Sequence, residues 1–293
     1  MPELPEVETI ARGLATRVSG DIIESVWLGS KPEPLKSSAA AIVDALERKR
    51  IAGVRRVGKH IVFDLLTDRS DPKPRRLSRK RHSAAVDQSR TVKKTSQWIV
   101  HLGMTGQLVV CSAAVEIAKH THAIVKLASG RELRFVDPRR FGRLSVSASG
   151  DFAAAGSEPL EVAAEDFIDL FRGRKTPIKS ALLNQTLLSG VGNIYADESL
   201  FRARIRPRRR AASLTREQLH RLYRSLQEVL NEAITLGGSS ISDYVDADGA
   251  EGFFQLEHRV YGREGEPCLI CKTNIKRLVK AGRSSHYCPK CQK

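Results

Sequence analysis

The tightest constraint on this chain lies near its C-terminal end, where Cys268-x2-Cys271 and Cys288-x2-Cys291 stand with sixteen residues between the pairs. Four thiolates at this spacing are the ligand set of one closed tetrahedral zinc site, structural rather than catalytic. A redox dithiol is the competing reading of a single Cys-x-x-Cys, and two matched pairs argue against it. They also fit metal binding in a reducing compartment better than disulfides. The fifth cysteine, Cys111, has no partner motif and reads as a small strand residue. Arg283 falls where a zinc-bound hairpin between the pairs should turn.

A zinc hairpin accounts for few of the 293 residues, and a chain of this length holds about two domains with cores of their own. The net charge of +16 points to a polyanionic partner, most often nucleic acid. Half of it is local: between Arg69 and Lys94, ten Lys and Arg face only Asp71 and Asp87, a net of +8. Residues 69–95 are rich in Pro, Ser, Arg and Lys and poor in large apolar side chains, so they read as a disordered basic insertion. Part of it resembles a nuclear localisation signal, but a basic loop adding nonspecific DNA affinity is the simpler reading. No run approaches the roughly 18 apolar residues of a membrane span, and there is no signal peptide. A cytoplasmic protein is expected. Charge alone also fits ribosomal, chromatin-like or membrane-surface proteins.

Along the chain, Val7, Ile10, Ala11, Leu14 and Val18 recur at helical spacing and predict an amphipathic helix over 6–18, ended by Gly20. Short β-like runs follow at Ile22–Trp27, Ile51–Val57, Ile61–Leu66, Trp98–Leu102, Leu108–Val110, Ala123–Leu127, Glu132–Val136 and Arg143–Val146, with a helical stretch near Ala39–Lys49. Many short strands between Gly and Ser turns predict a β-sandwich. Lys59 sits between two strands, ordinarily the place of a solvated turn residue. His120 and His122 form an H-x-H pair with no third ligand nearby, which argues against a metal site. Residues 147–157 are small and polar and read as an interdomain hinge. Beyond them the periodicity is helical. Thr176 is expected to cap a helix with Pro177 at its first position. Gly190-Val191-Gly192-Asn193 separates two helical runs and is suited to close approach of a phosphate at a helix N-terminus. Thr215 and Gln218 form a capping box, and Leu219 to Ala233 stripe the core face of a long helix that Gly237-Gly238 ends. The first domain is therefore expected over 2–146, a helical domain over 158–262 and the zinc finger over 263–293.

The N-terminal octet Met1-Pro2-Glu3-Leu4-Pro5-Glu6-Val7-Glu8 carries the chemistry. Removal of Met1 is expected because the next residue is small, and it leaves a secondary amine on Pro2. An α-amino group has a reference pKa of about 7.7–8.0, so part of it is an unprotonated nucleophile near neutrality. Glu3 supplies a carboxyl group for proton transfer beside it. The octet resembles the signature of the formamidopyrimidine-DNA glycosylases, bacterial repair enzymes that excise oxidised purines. Further blocks match in the family's order: Gly58-Lys59, His101-Leu102-Gly103-Met104, Asp137-Pro138-Arg139-Arg140-Phe141-Gly142, Gly190-Val191-Gly192-Asn193-Ile194-Tyr195 and the four cysteines. Only residues 69–95 have no counterpart.

The resemblance implies an α+β multidomain protein, with an N-terminal β-sandwich and flanking helices, then a helix-two-turn-helix domain with a zinc-bound β-hairpin. It implies catalytic roles for Pro2, Glu3, Lys59 and Arg283, the lysine assisting β-elimination and the arginine δ-elimination. Met104, Arg139 and Phe141 would fill the hole left by an extruded nucleotide. His120, Lys175 and Asn193 would contact DNA phosphates. Lys179 would lie near the site, and residues 237–260 would form a flexible loop over the extruded base. Zn2+ is the one cofactor expected, and double-stranded DNA with oxidised bases or abasic sites is the partner of a monomer. Two departures stand out: Gly282 replaces the usual glutamine before Arg283, and His286 replaces an aromatic residue. An endonuclease VIII-like glycosylase for oxidised pyrimidines is the nearest alternative, disfavoured by Leu4, where that branch usually has glycine. A noncatalytic zinc-hairpin DNA-binding protein explains the charge and the cysteines but not Pro2, Glu3 and Lys59 together.

Overall fold

The structure, a computed structural model, describes residues 1–67, 96–240, 252–280 and 282–293. The basic insertion over 69–95 and the middle of the 237–260 loop lie outside the described residues.

Helix α1 (Leu4–Val18) begins two residues before the expected start. Pro5 sits in the first turn, where its missing N–H leaves nothing unpaired. The Glu6 carboxylate reaches back to accept the N–H of Glu3 at 2.8 Å, one half of a capping box. The apolar residues of this helix divide between two cores. Val7, Ile10, Ala11, Leu14 and Val18 pack into the first domain, whereas Leu4 packs into the second.

The first domain is built on two four-stranded antiparallel sheets. Strands β1 (Ile23–Leu28), β6 (Thr121–Leu127), β7 (Arg131–Val136) and β5 (Gln107–Ser112) form one, in that order. Strands β2 (Lys49–Val57), β3 (His60–Thr67), β4 (Ser96–His101) and β8 (Arg143–Ser147) form the other. Their inward faces meet around Phe63, Trp98, Leu108, Val125 and Phe135, all buried, with α1 and α2 (Ala39–Leu46) closing the flanks. The expected sandwich is present, and all its strands but β1 are one to three residues longer than the apolar runs because polar ends also pair.

The second domain is helical: α3 (Ala164–Phe171), α4 (Ile178–Leu182), α5 (Asn193–Arg202) and α6 (Arg216–Thr235). The capping box of Thr215 and Gln218 is formed, and α6 closes with Leu236 as its C-cap before Gly237 and Gly238. The expected cap at Thr176 is not. Pro177 itself is the N-cap of α4, without a side-chain bond, because its backbone is in an extended bridge to Arg210. The chain ends in a two-stranded hairpin, β9 (Lys276–Lys280) and β10 (Arg283–Tyr287), with Arg283 paired to Lys280 beside the turn.

Segment 147–157 crosses between the domains and is fixed at several points. Ser147 still belongs to β8, the Phe152 N–H donates to Gln97 Oε1 at 2.9 Å, and Ser157 bridges Leu188. Arg56 on β2 joins the domains more strongly. Its guanidinium bonds Glu8 Oε2 at 2.7 Å and Glu158 through both carboxylate oxygens, at 2.7 and 2.8 Å. Two residues on, the β2–β3 turn carries Gly58 at φ +58°, as a two-residue turn with glycine at its first central position requires. A Cβ there would stand 2.1 Å from Ser189 Oγ, so the hairpin tip bearing Lys59 is pressed against the second domain.

Arg56→Met is expected to cost about 2 kcal/mol, because it leaves two carboxylates facing each other with part of their solvation lost. Urea unfolding at neutral pH measures it. A change within error would mean the arginine does not bind the domains together.

Candidate active site

The cavity between the domains has a volume of about 770 Å³, and its wall includes Met1, Glu3, Lys59, Asn193, Tyr261 and Arg283. Each arrives on a different element. Glu3 is the N-cap of α1, Lys59 stands at the β2–β3 turn, Asn193 opens α5, and Arg283 opens β10. Residues far apart in the sequence thus converge, and three of the four expected catalytic residues share one wall. The fourth, Pro2, is buried behind an exposed Met1. With Met1 attached its nitrogen is an amide. Met1 itself lines the cavity, and Pro2 does not.

Glu3 is 5% exposed, and its Oε1 accepts the N–H of Ile194 at 3.2 Å, in the first turn of α5. The chain's own carboxyl group thus takes up one of the N–H groups at this helix N-terminus. The two glycines make room for it. A Cβ on Gly192 would lie 2.0 Å from Glu3 Cδ, and one on Gly190, at φ +101°, would lie 2.9 Å from a Leu4 methyl. The Leu4 N–H donates to Gly190 O at 3.0 Å, which locks the arm in register.

Burial pushes the Glu3 carboxyl up to about 7 from its ordinary 4.5, against the opposing pull of the Lys59 ammonium. Glu6 adds to the rise, and the backbone N–H groups of Ile194 and Tyr195 moderate it. Lys59 is 8% exposed, and burial lowers its pKa, with Glu3 opposing the fall and Arg283 adding to it. An acid and an amine drawn toward neutrality from opposite sides are the environment that proton transfer at neutral pH needs.

Glu6 is a residue that sequence reasoning missed as part of this site. It is buried and raised in pKa by desolvation. Besides the Glu3 N–H it accepts the Tyr195 hydroxyl and the Ser239 N–H, the latter at 2.8 Å. One carboxylate thereby joins the N-terminal arm, α5 and the chain just before residues 241–251. Glu198 does the same beyond them, accepting the N–H groups of Arg259, Val260 and Tyr261 at 2.8 to 3.0 Å. The one signal in the sequence was acidic residues within otherwise apolar helical surroundings.

Met104, Arg139 and Phe141 stand on two loops of the first domain that one buried side chain holds together. Asp137, fully buried, accepts Thr105 Oγ1 at 2.6 Å, the Arg139 N–H at 3.2 Å and the Gly142 N–H at 2.7 Å. Its own carbonyl bonds His122 Nε2 at 3.0 Å, so that ring nitrogen is spent on structure. Above this knot Met104 and Phe141 are exposed, and the Arg139 guanidinium lies 5.0 Å from the Phe141 ring centroid. His120 and Lys175 are exposed. Lys179 is not on the cavity wall with Glu3 and Lys59. It is buried under β10 in an ion pair with Asp197.

The four cysteine sulfurs all lie within 4.8 Å of one another, the only such cluster of metal-binding groups among the described residues. Tetrahedral thiolate coordination of zinc needs sulfurs about 3.8 Å apart. The contacts Cys268–Cys291 at 3.9 Å and Cys271–Cys288 at 3.4 Å fit it. The Cys291 N–H also points at Cys288 Sγ, at 3.4 Å, as knuckle amides do toward thiolates.

Comparison with known proteins agrees with this arrangement. Residues 1–144 match the model of the formamidopyrimidine-DNA glycosylase N-terminal domain, 155–245 its H2TH domain, and 265–293 the zinc finger found in FPG and IleRS. The chain belongs to the formamidopyrimidine-DNA glycosylase family. A family member from Solibacter usitatus is 42% identical over the full length of both chains, and one from Thermus thermophilus is 43% identical over all of this chain and 98% of that one. The crystal structure of the MutM (FPG) protein from Thermus thermophilus has a TM-score of 0.81 at 41% identity, covering 99% of this chain and 98% of that one. A Lactococcus lactis FPG variant in complex with DNA containing Fapy-dG has a TM-score of 0.84 at 32% identity over both whole chains. In this family setting the chain is a DNA-binding protein with a structural zinc site. No described helix is long and apolar enough to cross a membrane.

The raised Glu3 pKa fixes a direction for stability. The folded chain holds this proton up to about pH 7, whereas the unfolded chain releases it near 4.5. Between those values the folded state binds more protons, so stability falls as pH rises. Glu3→Gln cannot ionise. Its stability relative to the parent should grow by on the order of 3 kcal/mol between about pH 4.5 and about pH 8, in paired urea titrations. A pH-independent difference would place the carboxyl in solvent. Cys271→Ser should lose zinc, read by metal analysis, and lose DNA affinity while the first domain keeps its near-ultraviolet dichroism. Full metal occupancy in that variant would refute the four-thiolate site.

Proposed function

We propose that this chain removes oxidised purines, 8-oxoguanine and formamidopyrimidines, from double-stranded DNA, and then cuts the strand as an AP lyase. Family membership carries the reaction class. The observation that carries the chemistry is Glu3, a carboxyl group drawn up to about 7 and anchored on α5 in the cavity beside the N-terminal proline. A noncatalytic DNA-binding protein leaves the meeting of Glu3, Lys59 and Arg283 on one cavity wall unexplained. Leu4, wholly inside the second core, keeps the arm in the form expected for the purine-specific branch.

In this reading Met1 is removed and the Pro2 nitrogen attacks C1′ of the damaged nucleotide. The glycosidic bond breaks, and the base leaves with the proton that the amine loses. Glu3 then gives its proton to O4′ as the sugar ring opens, leaving an iminium between C1′ and Pro2. The positive charge acidifies the C2′ hydrogen. Its removal expels the 3′ phosphate in β-elimination, with Lys59 assisting at the cavity wall. Arg283 assists the second elimination, which expels the 5′ phosphate. Met104, Arg139 and Phe141 occupy the space of the extruded nucleotide, the arginine bonding the orphaned base and the phenylalanine wedging the stack. His120, Lys175 and Asn193 hold phosphates and so contribute to salt-dependent affinity. Zinc, held by the four cysteines, fixes the hairpin and takes no part in the chemistry. The protein acts as a cytoplasmic monomer, with domains over 2–146, 158–262 and 263–293 joined at 147–157.

Processed protein should form a borohydride-stable adduct with DNA containing 8-oxoguanine, attached through Pro2 on peptide mapping. Protein retaining Met1 should bind the same DNA without trapping. Glu3→Gln should bind it and excise at least about 100-fold more slowly. Attachment at Lys59, or efficient trapping with Met1 present, would refute Pro2 as the nucleophile.

A further inference from the structure

Strand β10 has one ladder partner, β9, and its other edge faces the helices. In a strand, alternate residues direct their N–H and C=O to the same edge, and a buried edge leaves those groups needing partners. Here two charged side chains supply them. Lys179 Nζ, from α4, donates to the carbonyl of Ser284 at 2.6 Å. Asp197 Oδ2, from α5, accepts the N–H of His286 at 2.9 Å. The two side chains also form an ion pair with each other, Nζ to Oδ1 at 2.7 Å, at 5% and 0% exposure. Asn193, one turn before Asp197, adds a third contact from its Nδ2 to the Ser284 hydroxyl at 3.3 Å.

We infer that Lys179 and Asp197 are positioning residues that take the place of a third strand on the hairpin edge and hold Arg283 at the cavity. Arg283 directly precedes Ser284 and opens the strand beside the hairpin turn. Zinc ties the far end of β10, at Cys288, and leaves the Arg283 end to be fixed by something else. The Arg283 side chain is exposed, so its backbone anchor determines where the guanidinium reaches. A buried ion pair is an expensive anchor if stability alone is required, since well-packed apolar side chains of the same volume serve as well or better. Its use here follows from the partners to be satisfied: one carbonyl and one N–H on the same edge need a donor and an acceptor side by side. Helix α5 thus serves the site twice. Its first turn binds Glu3 and its second turn binds the hairpin, so the acid and the arginine are set from one rigid element.

This inference rests on the reading that Arg283 assists the second elimination, and the test separates the two. Zinc-loaded Asp197→Asn and the double variant Lys179→Met/Asp197→Asn are compared with the parent and with Arg283→Ala on DNA with an abasic site. The double variant removes both charges and keeps an acceptor for the His286 N–H, which covers the case in which the single variant leaves Lys179 unpaired and fails to fold. Single-turnover product analysis separates the β-product from the β,δ-product, and amide hydrogen exchange reports residues 283–287. The expected result is a δ-elimination rate reduced roughly 10- to 100-fold, borohydride trapping within about threefold of the parent, and faster exchange in β10. A zinc-loaded double variant with unchanged exchange in β10 would overturn the brace. So would a parental share of the β,δ-product when Arg283→Ala has lost it. If Arg283→Ala keeps the β,δ-product, the role given to Arg283 fails, and the exchange data alone decide whether the hairpin is held as described.

Discussion

Helix α1 belongs to two hydrophobic cores at once, and the site depends on that division. Five of its apolar residues anchor it on the β-sandwich, and Leu4 at its first position is sealed in the helical domain. The three residues before it are thereby carried to the seam between the domains, where a free chain terminus would otherwise be loose. A nucleophile at a terminus is useful only if the terminus is held. Here the holding is done by burial of Leu4, the Leu4–Gly190 backbone bond and the reach of Glu3 and Glu6 into α5.

The seam and helix α5 behind it concentrate charge where water is excluded. Glu3, Glu6, Lys59 and Glu198 are all below 10% exposure, and burial is the largest influence on each of their pKa values. They differ in what compensates it. Glu6 and Glu198 each collect two or more hydrogen bonds from neighbouring segments and act as anchors. Glu3 is bonded by backbone N–H groups at the start of α5, Ile194 donating to its Oε1, whereas its Oε2 has no hydrogen-bond partner among the described residues. An acid with an unsatisfied oxygen in a cavity holds its proton near neutrality and has somewhere to send it. The distinction between anchor and reagent is therefore one of unused hydrogen-bonding capacity, not of burial.

Much of this is legible in the sequence, for particular reasons. The sandwich strands are readable because short apolar runs between Gly and Ser turns survive without knowledge of pairing, and α6 is readable from Thr215 and Gln218 at one end and Gly237 at the other. The zinc cluster follows from spacing alone. The start of α1 is not readable, because glutamate is a poor N-cap by preference and its capping partner Glu6 looks like an ordinary helix residue. Gly192 reads as making way for a phosphate. The group that occupies its space, Glu3, lies 189 residues earlier in the chain, a contact no local pattern contains. Asp137 reads as the first residue of an exposed turn, whereas it is the buried knot of two loops. In each of these cases the missing information is a long-range partner for a polar group.

The apolar core of the second domain is complete without the first domain except for Leu4, yet its polar groups are not: the α5 N-terminus needs Glu3, Tyr195 needs Glu6, and Glu158 at the domain entrance needs Arg56. Apolar burial is nondirectional and would allow the domains to slide against one another. The directional bonds select one relative placement, because each is lost on displacement and leaves a buried group unpaired at a cost of about 1–3 kcal/mol. Placement is what brings Lys59 on a β-turn, Glu3 on a helix cap and Arg283 on a zinc hairpin to one cavity wall. The polar seam therefore adds little to the strength of the association and supplies its register, on which the chemistry rests.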